Sequence, residues 1–273
     1  MLPERDILAA AASATALAVA AVHGTFASTS SFWGKVIWRA RDRTNPWVSL
    51  TFDDGPTAGS TDRVLDLLGK LGVEATFFVI GQNVARWPNL VRRMDAEGHI
   101  VANHTFDHGH FDMFRGWKYW QEQVARTNRL IEDLIGKKPA FFRPSMGFKT
   151  APIHHAARGA GQTVVTWSRS ARDGLSAEAT AILRRMTRVT GPGDILLMHD
   201  GVDPCLRRAR DRDRSATIRA LGQLIGALHD RGLRAVRLDQ LLGCAAYAGD
   251  TGIQARVRPA ECQRGSHRDV CDQ

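Results

Sequence analysis

The stretch that decides how this chain is read is Trp47-Val48-Ser49-Leu50-Thr51-Phe52-Asp53-Asp54-Gly55-Pro56. A run rich in β-branched and aromatic residues stops abruptly at two adjacent carboxylates, and a Gly-Pro turn signal follows. A run of that length fits a short buried strand. A second stretch has the same form: Ile100-Val101-Ala102 leads into His104-Thr105-Phe106-Asp107-His108, with two imidazoles four residues apart. One carboxylate and two histidines can hold a catalytic divalent metal and leave positions open for water and substrate. The second carboxylate stands where a base would be needed. Read alone, each stretch also fits something ordinary: an Asp-Gly-Pro turn, and a histidine-bearing helix start.

Working outward, the same rhythm repeats. Strands are expected at 47–52, 74–80, 99–103, 139–143, 163–168, 193–198 and 233–238. Their near-continuous apolarity suits strands buried on both faces. Amphipathic stretches at 61–71, 83–97, 116–135, 151–160, 176–189 and 214–231 read as helices, several closed by glycine. Strands alternating with helices imply a parallel sheet with helical crossovers. The expected fold is a single α/β domain, a distorted (β/α)7-type barrel with mostly parallel strands; an open doubly wound sheet is the alternative. No glycine-rich phosphate loop follows any strand, so nucleotide binding has no support.

Strand order alone brings distant groups together. Asp53 and Asp54 follow the first expected strand, and His104 and His108 the third. Arg143 ends the fourth, and His199-Asp200 follows the sixth. In a parallel barrel all strand C-termini share one face, where active sites form. His110, His154 and His155 lack such placement and read as outside the chemistry.

The 273 residues include 44% hydrophobic side chains and carry a net charge of +9. That is enough for a real core, and the charge favours anionic surfaces such as phospholipid or acidic glycan. Nucleic acid is not the expected partner, because no basic-aromatic motif focuses the arginines. Ile7 to Val22 carries no formal charge. Residues 1–30 therefore read as a signal peptide, with Thr25-Phe26-Ala27 as the cleavage site, or as an N-terminal membrane anchor. Basic residues in the 31–46 connector favour a cytoplasmic domain. The even set Cys205, Cys244, Cys262 and Cys271 allows two disulfides and argues for an oxidising, extracytoplasmic compartment, periplasm or cell surface. Residues 47–242 form the expected domain and 243–273 a cysteine-bearing tail.

From about 47 to 240 the chain resembles the polysaccharide deacetylase family, the NodB-homology domain of carbohydrate esterase family 4. Thr51-Phe52-Asp53-Asp54-Gly55-Pro56 is similar to its first motif and His104-Thr105-Phe106-Asp107-His108 to its second. Arg143-Pro144-Ser145-Met146-Gly147 resembles the third, Trp167 to Asp173 the fourth, and Leu197-Met198-His199 the fifth. The resemblance implies that Asp54, His104 and His108 bind one divalent metal: Zn²⁺ first, with Co²⁺, Ni²⁺ or Mn²⁺ as alternatives. It implies that Asp53 is the base, held by Arg143, and that His199 is the acid, supported by Asp173. The Met146 amide would serve the oxyanion and Leu197 the acyl pocket. The activity implied is N-deacetylation of a glycan of the chitin, peptidoglycan or poly-N-acetylglucosamine kind. The chain departs from the family pattern at Met146, at Ser170 and at Gly174, where tryptophan is usual. Those departures keep other readings in view: removal of an O-acetyl ester or a formyl group from a lipid-carried amino sugar, or a catalytically silent glycan-binding membrane protein.

Overall fold

Period-two alternation along buried strands organises the molecule. In the computed structural model, which describes residues 4–174, 178–205 and 213–250, strand β1 spans Trp47–Asp53. Its Val48, Leu50 and Phe52 enter the apolar layer beneath the helices, while Thr51 and Asp53 face the other way, toward Arg143. Strands β2 (Thr76–Val79), β3 (Ile100–Asn103), β4 (Phe141–Phe142) and β5 (Thr163–Val164) follow on one side of β1. On the other side lie β7 (Ile195–His199) and then β6 (Arg169–Ser170), and β8 (Arg234–Ala235) pairs with the start of β1. Every strand pairing is parallel, so the expected parallel barrel stands.

Parallel pairing requires long crossovers, and helices supply them. They are α2 (Thr61–Leu71), α3 (Gly81–Arg86), α4 (Pro88–Ala96), α5 (Trp117–Ile135), α6 (Ala151–Gly159), α7 (Ala179–Arg188) and α8 (Ser215–Asp230). An N-terminal α1 (Glu4–Phe26) precedes the barrel, and a short α9 (Leu238–Leu242) follows β8. A second apolar cluster fills the inner side of the sheet with Phe78, Ile100, Phe141, Ile195, Leu238 and Tyr247. Tyr247 lies in the expected tail, yet it is buried and its hydroxyl accepts from the Val101 amide at 2.9 Å.

Several boundaries differ from expectation. The single helix expected at 83–97 is two, because proline disfavours a helical residue before it and then starts a helix well. Trp87, before Pro88, takes φ −130° and ψ 54°. The strand expected at 163–168 ends at Val164, because the chain there leaves one sheet edge for the other. Val165 donates to Phe142, Thr166 to Ile37, and Ser168 to Ile195. Strand β6 then pairs with β7; its Arg-Ser sequence carries no apolar signal.

The 31–46 stretch, expected as a connector, makes the seam. Ile37 donates to Val164 and accepts from Thr166, and Ala40 donates to Gly193. The expected cleavage site is wired in as well: the Thr25 carbonyl accepts from the Lys149 amide, and the Ala27 carbonyl from Lys149 Nζ. Among the described residues no helix is long and apolar enough to cross a membrane. Cys262 and Cys271, half of the expected disulfide set, lie outside the described residues.

Candidate active site

Strand register assembles the site. Asp53 and His199 are direct partners on β1 and β7. Asn103 at the end of β3 pairs with Phe142 on β4, so His104 and Arg143 emerge side by side. The carbonyl of Arg143 accepts from His104 Nδ1 at 2.7 Å. With that proton placed, the Nε2 lone pair of His104 is free for a cation.

Asp54 Oδ1 lies 3.6 Å from His104 Nε2 and 3.5 Å from His108 Nε2. It is buried and has no hydrogen-bond partner. The donor atoms of these three residues all lie within 4.8 Å of one another. An orphaned carboxylate oxygen facing two imidazole nitrogens fits a divalent ion with bonds of about 2 Å. Burial alone would raise the Asp54 carboxyl, but His108, His104 and His199 outweigh it and hold it below the usual range. His108 is raised: burial opposes its charged form, and Asp54 and Asp203 more than compensate.

Asp53 receives Arg143 Nη1 at 2.6 Å. Arg143 is fully buried, donates also to Thr51 Oγ1 and the carbonyls of Val165 and Thr166, and lies 3.9 Å over the Phe78 ring. On the other flank His199 Nδ1 sits 2.8 Å from Asp173 Oδ1. Burial opposes a charge on His199, but Asp173, Asp54 and Asp53 push it up to about 9. Thr217 Oγ1 and the His199 amide donate to the other oxygen of Asp173.

A family model described as polysaccharide deacetylase matches residues 40–165. A peptidoglycan-N-acetylglucosamine deacetylase of Bacillus cereus is 33% identical over 211 residues, covering 77% of this chain and 93% of the relative. The chain belongs to the polysaccharide deacetylase family. A chitooligosaccharide deacetylase of Sinorhizobium fredii is 39% identical over 189 residues, covering 68% of this chain and 87% of the relative. The crystal structure of the Bc1960 peptidoglycan N-acetylglucosamine deacetylase superposes with a TM-score of 0.70 at 27% identity, covering 77% of this chain and 94% of that one.

Backbone strain marks the same face of the molecule. Among the described residues, the non-glycine positions with positive φ are Asp54, Thr105, His108, Met146 and Arg172. Each is a candidate site residue or the neighbour of one. Such conformations cost about 1–3 kcal/mol apiece and persist only where surroundings impose them. Gln123 on α5 does part of this by accepting from the amides of Phe106 and Asp107. Gly55 and Gly201 permit close approach: a Cβ at Gly55 would come 2.3 Å from Asp200 Oδ2, and one at Gly201 2.1 Å from the Asp54 carbonyl. Met146 is half exposed, and Leu197 is buried on the inner face of β7. Gly174 backs directly onto His199: a Cβ there would lie 3.2 Å from His199 Cε1.

Three contributors escaped the sequence. Asp203 Oδ2 lies 3.0 Å from His108 Nδ1 and 2.5 Å from His110 Nε2, so His110 belongs to the surroundings of the site. Thr217 supports Asp173, and Arg214 donates to the carbonyls of Gly201, Asp173 and Gly174. Asp203, four residues beyond His199, was the one with a readable signal; Thr217 and Arg214 have none outside the folded structure.

Proposed function

We propose that this chain is a hydrolase that removes N-acetyl groups from an N-acetylated glycan outside the cytoplasm, with a divalent metal. The observation that carries the reading is the buried, partnerless Asp54 Oδ1 facing two histidine Nε2 atoms, between an Asp–Arg pair and a His–Asp pair. The deacetylase names of the relatives support it. Asp54, His104 and His108 are the residues that hold the metal, which when bound acidifies water and polarises the acyl carbonyl. Zn²⁺ is the first choice for two nitrogens and a carboxylate; Co²⁺, Ni²⁺ and Mn²⁺ suit the same set.

Asp53 takes the proton of the attacking water. Arg143 fixes its orientation and balances its charge. Amide hydrolysis also needs a proton for the departing amine, because an unprotonated amide nitrogen leaves poorly. His199 gives that proton from Nε2, while Asp173 holds Nδ1 and stabilises the charged ring. The Met146 amide is the donor assigned to the developing oxyanion, and Leu197 lines the acyl pocket. No side chain is needed as a covalent nucleophile.

The test is acetate release from chitooligosaccharide, peptidoglycan and poly-N-acetylglucosamine after stripping and re-adding metal, alongside O-acetyl and formyl substrates. Release from an N-acetylated glycan, lost on chelation and lost in D53N, is expected. Cleavage confined to the ester or formyl substrates, or tight glycan binding without turnover, would overturn the reading.

A further inference from the structure

The exposed apolar side chains are not scattered. Among the described residues, the large ones are Leu17, Val19 and Val22 on α1, Phe26 and Phe32 beside its end, Phe111, Phe114 and Trp117, Met146, and outlying Leu71 and Val189. The loop that follows metal-site residue His108 contributes the most extreme pair. A 3-10 turn at Asp112–Phe114 leaves Phe111 79% and Phe114 82% exposed. Singly, such side chains would need no explanation; gathered in one loop, they form the kind of apolar patch that marks a contact surface.

The loop is basic as well as apolar. Arg115 and Lys118 are exposed beside Phe114 and Trp117. The carboxylates in the same stretch are turned inward: Asp112 and Asp107 both accept from Tyr119 Oη, and Asp107 also from Gln123. What points outward is therefore phenylalanine, tryptophan, arginine and lysine, the composition of a segment that rests in an anionic lipid headgroup layer.

The end of α1 reaches the same face. The Thr25 and Ser28 carbonyls accept from Lys149 and Thr166, which follow the C-terminal ends of β4 and β5. Phe26 packs edge-on against Phe148 at 4.9 Å, two residues beyond Met146. Helix α6 joins the two apolar regions: His155 contacts the Trp117 ring, and His154 packs against Gly34. Loop 111–118, the start of α6 and the chain at the end of α1 are thus linked by contacts into one rim beside the strand C-termini that carry the site.

We propose that this rim docks on an anionic phospholipid bilayer through Phe111, Phe114, Arg115, Trp117 and Lys118, with the end of α1 alongside, so that the mouth of the site opens at the lipid surface. The catalytic consequence, a preference for glycan presented at a membrane, rests on the deacetylase reading; the docking does not.

The full-length protein is mixed with vesicles of phosphatidylcholine alone or with about one third phosphatidylglycerol, and sedimentation is read together with backbone hydrogen exchange. Wild type should bind the anionic vesicles more tightly, and amides of 111–118 should become protected there. F111S/F114S should lose that protection and weaken binding roughly tenfold or more, as burial of two phenylalanines requires. R115E/K118E should remove the preference for anionic lipid. Both variants should release acetate from soluble chitooligosaccharide as wild type does. No vesicle binding, or vesicle protection confined to α1, overturns the docking. Protection of 111–118 by soluble glycan in place of vesicles also overturns it and makes the loop a sugar platform. Vesicle binding as described with no acetate release leaves the docking in place and counts against the deacetylase reading alone.

Discussion

Asp194 and Asp54 are buried carboxylates at opposite ends of neighbouring parallel strands, and they are treated in opposite ways. Asp194, just before β7, receives Arg39 and Ser168 on one oxygen and Arg169 and the Gly191 amide on the other. Asp54, just after β1, has an oxygen with no partner. A buried charge that is fully bonded holds structure together; one left open costs stability unless something binds it. The lower end of the barrel is finished by folding, whereas the upper end keeps a donor group open for a ligand. Among the described residues, the non-glycine positions with positive φ follow the same division, all lying at the upper end.

Exchanging the two aspartates should break that contrast most visibly. D54A should abolish stoichiometric metal binding and lower acetate release by about 10³-fold or more, with little loss of stability in the metal-free protein. D194A should leave the metal stoichiometry intact but cost about 3–5 kcal/mol, because Arg39 and Arg169 lose their shared partner. Metal analysis and denaturant unfolding distinguish the two; equal destabilisation would dissolve the contrast.

Arg143 joins both behaviours: it donates to the carbonyls of Val165 and Thr166, and it holds Asp53, the proposed base. R143K keeps the charge but cannot make the fork. A rate loss of about 10²-fold with the metal retained is expected in acetate-release kinetics. Unchanged turnover would remove Asp53 orientation from its role.

The His199–Asp173 pair makes a pH prediction. An acid catalyst must be protonated, so the rate falls as pH rises through the His199 pKa, which lies near 9 with Asp173 in place. D173N removes the main support for the charged ring, so the alkaline limb should move to lower pH, toward the unperturbed value of about 6.5. The maximal rate should fall about 10–100-fold. A pH–rate profile with an unmoved limb would mean that the proton comes from elsewhere.

The smallest effect belongs to Asp203. D203A should weaken metal affinity about 10–100-fold by freeing the His108 ring, with much of the rate restored at saturating metal. A chelator competition reads this directly, and unchanged affinity would reduce Asp203 to a partner of His110.

Legibility followed periodicity. β1, β3, β4 and β7 are each marked by an apolar run, and the polar residue where each run stops was visible for that reason. Asp53, His104, Arg143 and His199 could therefore be assigned to one face before any coordinates. β6 is two residues long and is held by its neighbour β7, so no local signal marked it. The 31–46 stretch looked like a linker because its pairing partners, Val164, Thr166 and Gly193, lie more than a hundred residues away in the chain. His110 was set aside on position alone, since nothing local ties it to Asp203.

By itself the sequence determined the parallel architecture and the end of the barrel at which the candidate metal set, base and acid gather. Those follow from hydrophobic period, strand order and side-chain chemistry, which are local. Tertiary structure alone decided how the barrel closes through Ile37, which carboxylate oxygen stays unbonded, and which residues orient the ligands. It also decided that the apolar rim of α1 and of loop 111–118 shares a face with the site. Such matters depend on long-range contacts and on which polar groups remain unsatisfied after all the others have paired, and no window of neighbouring residues contains that information.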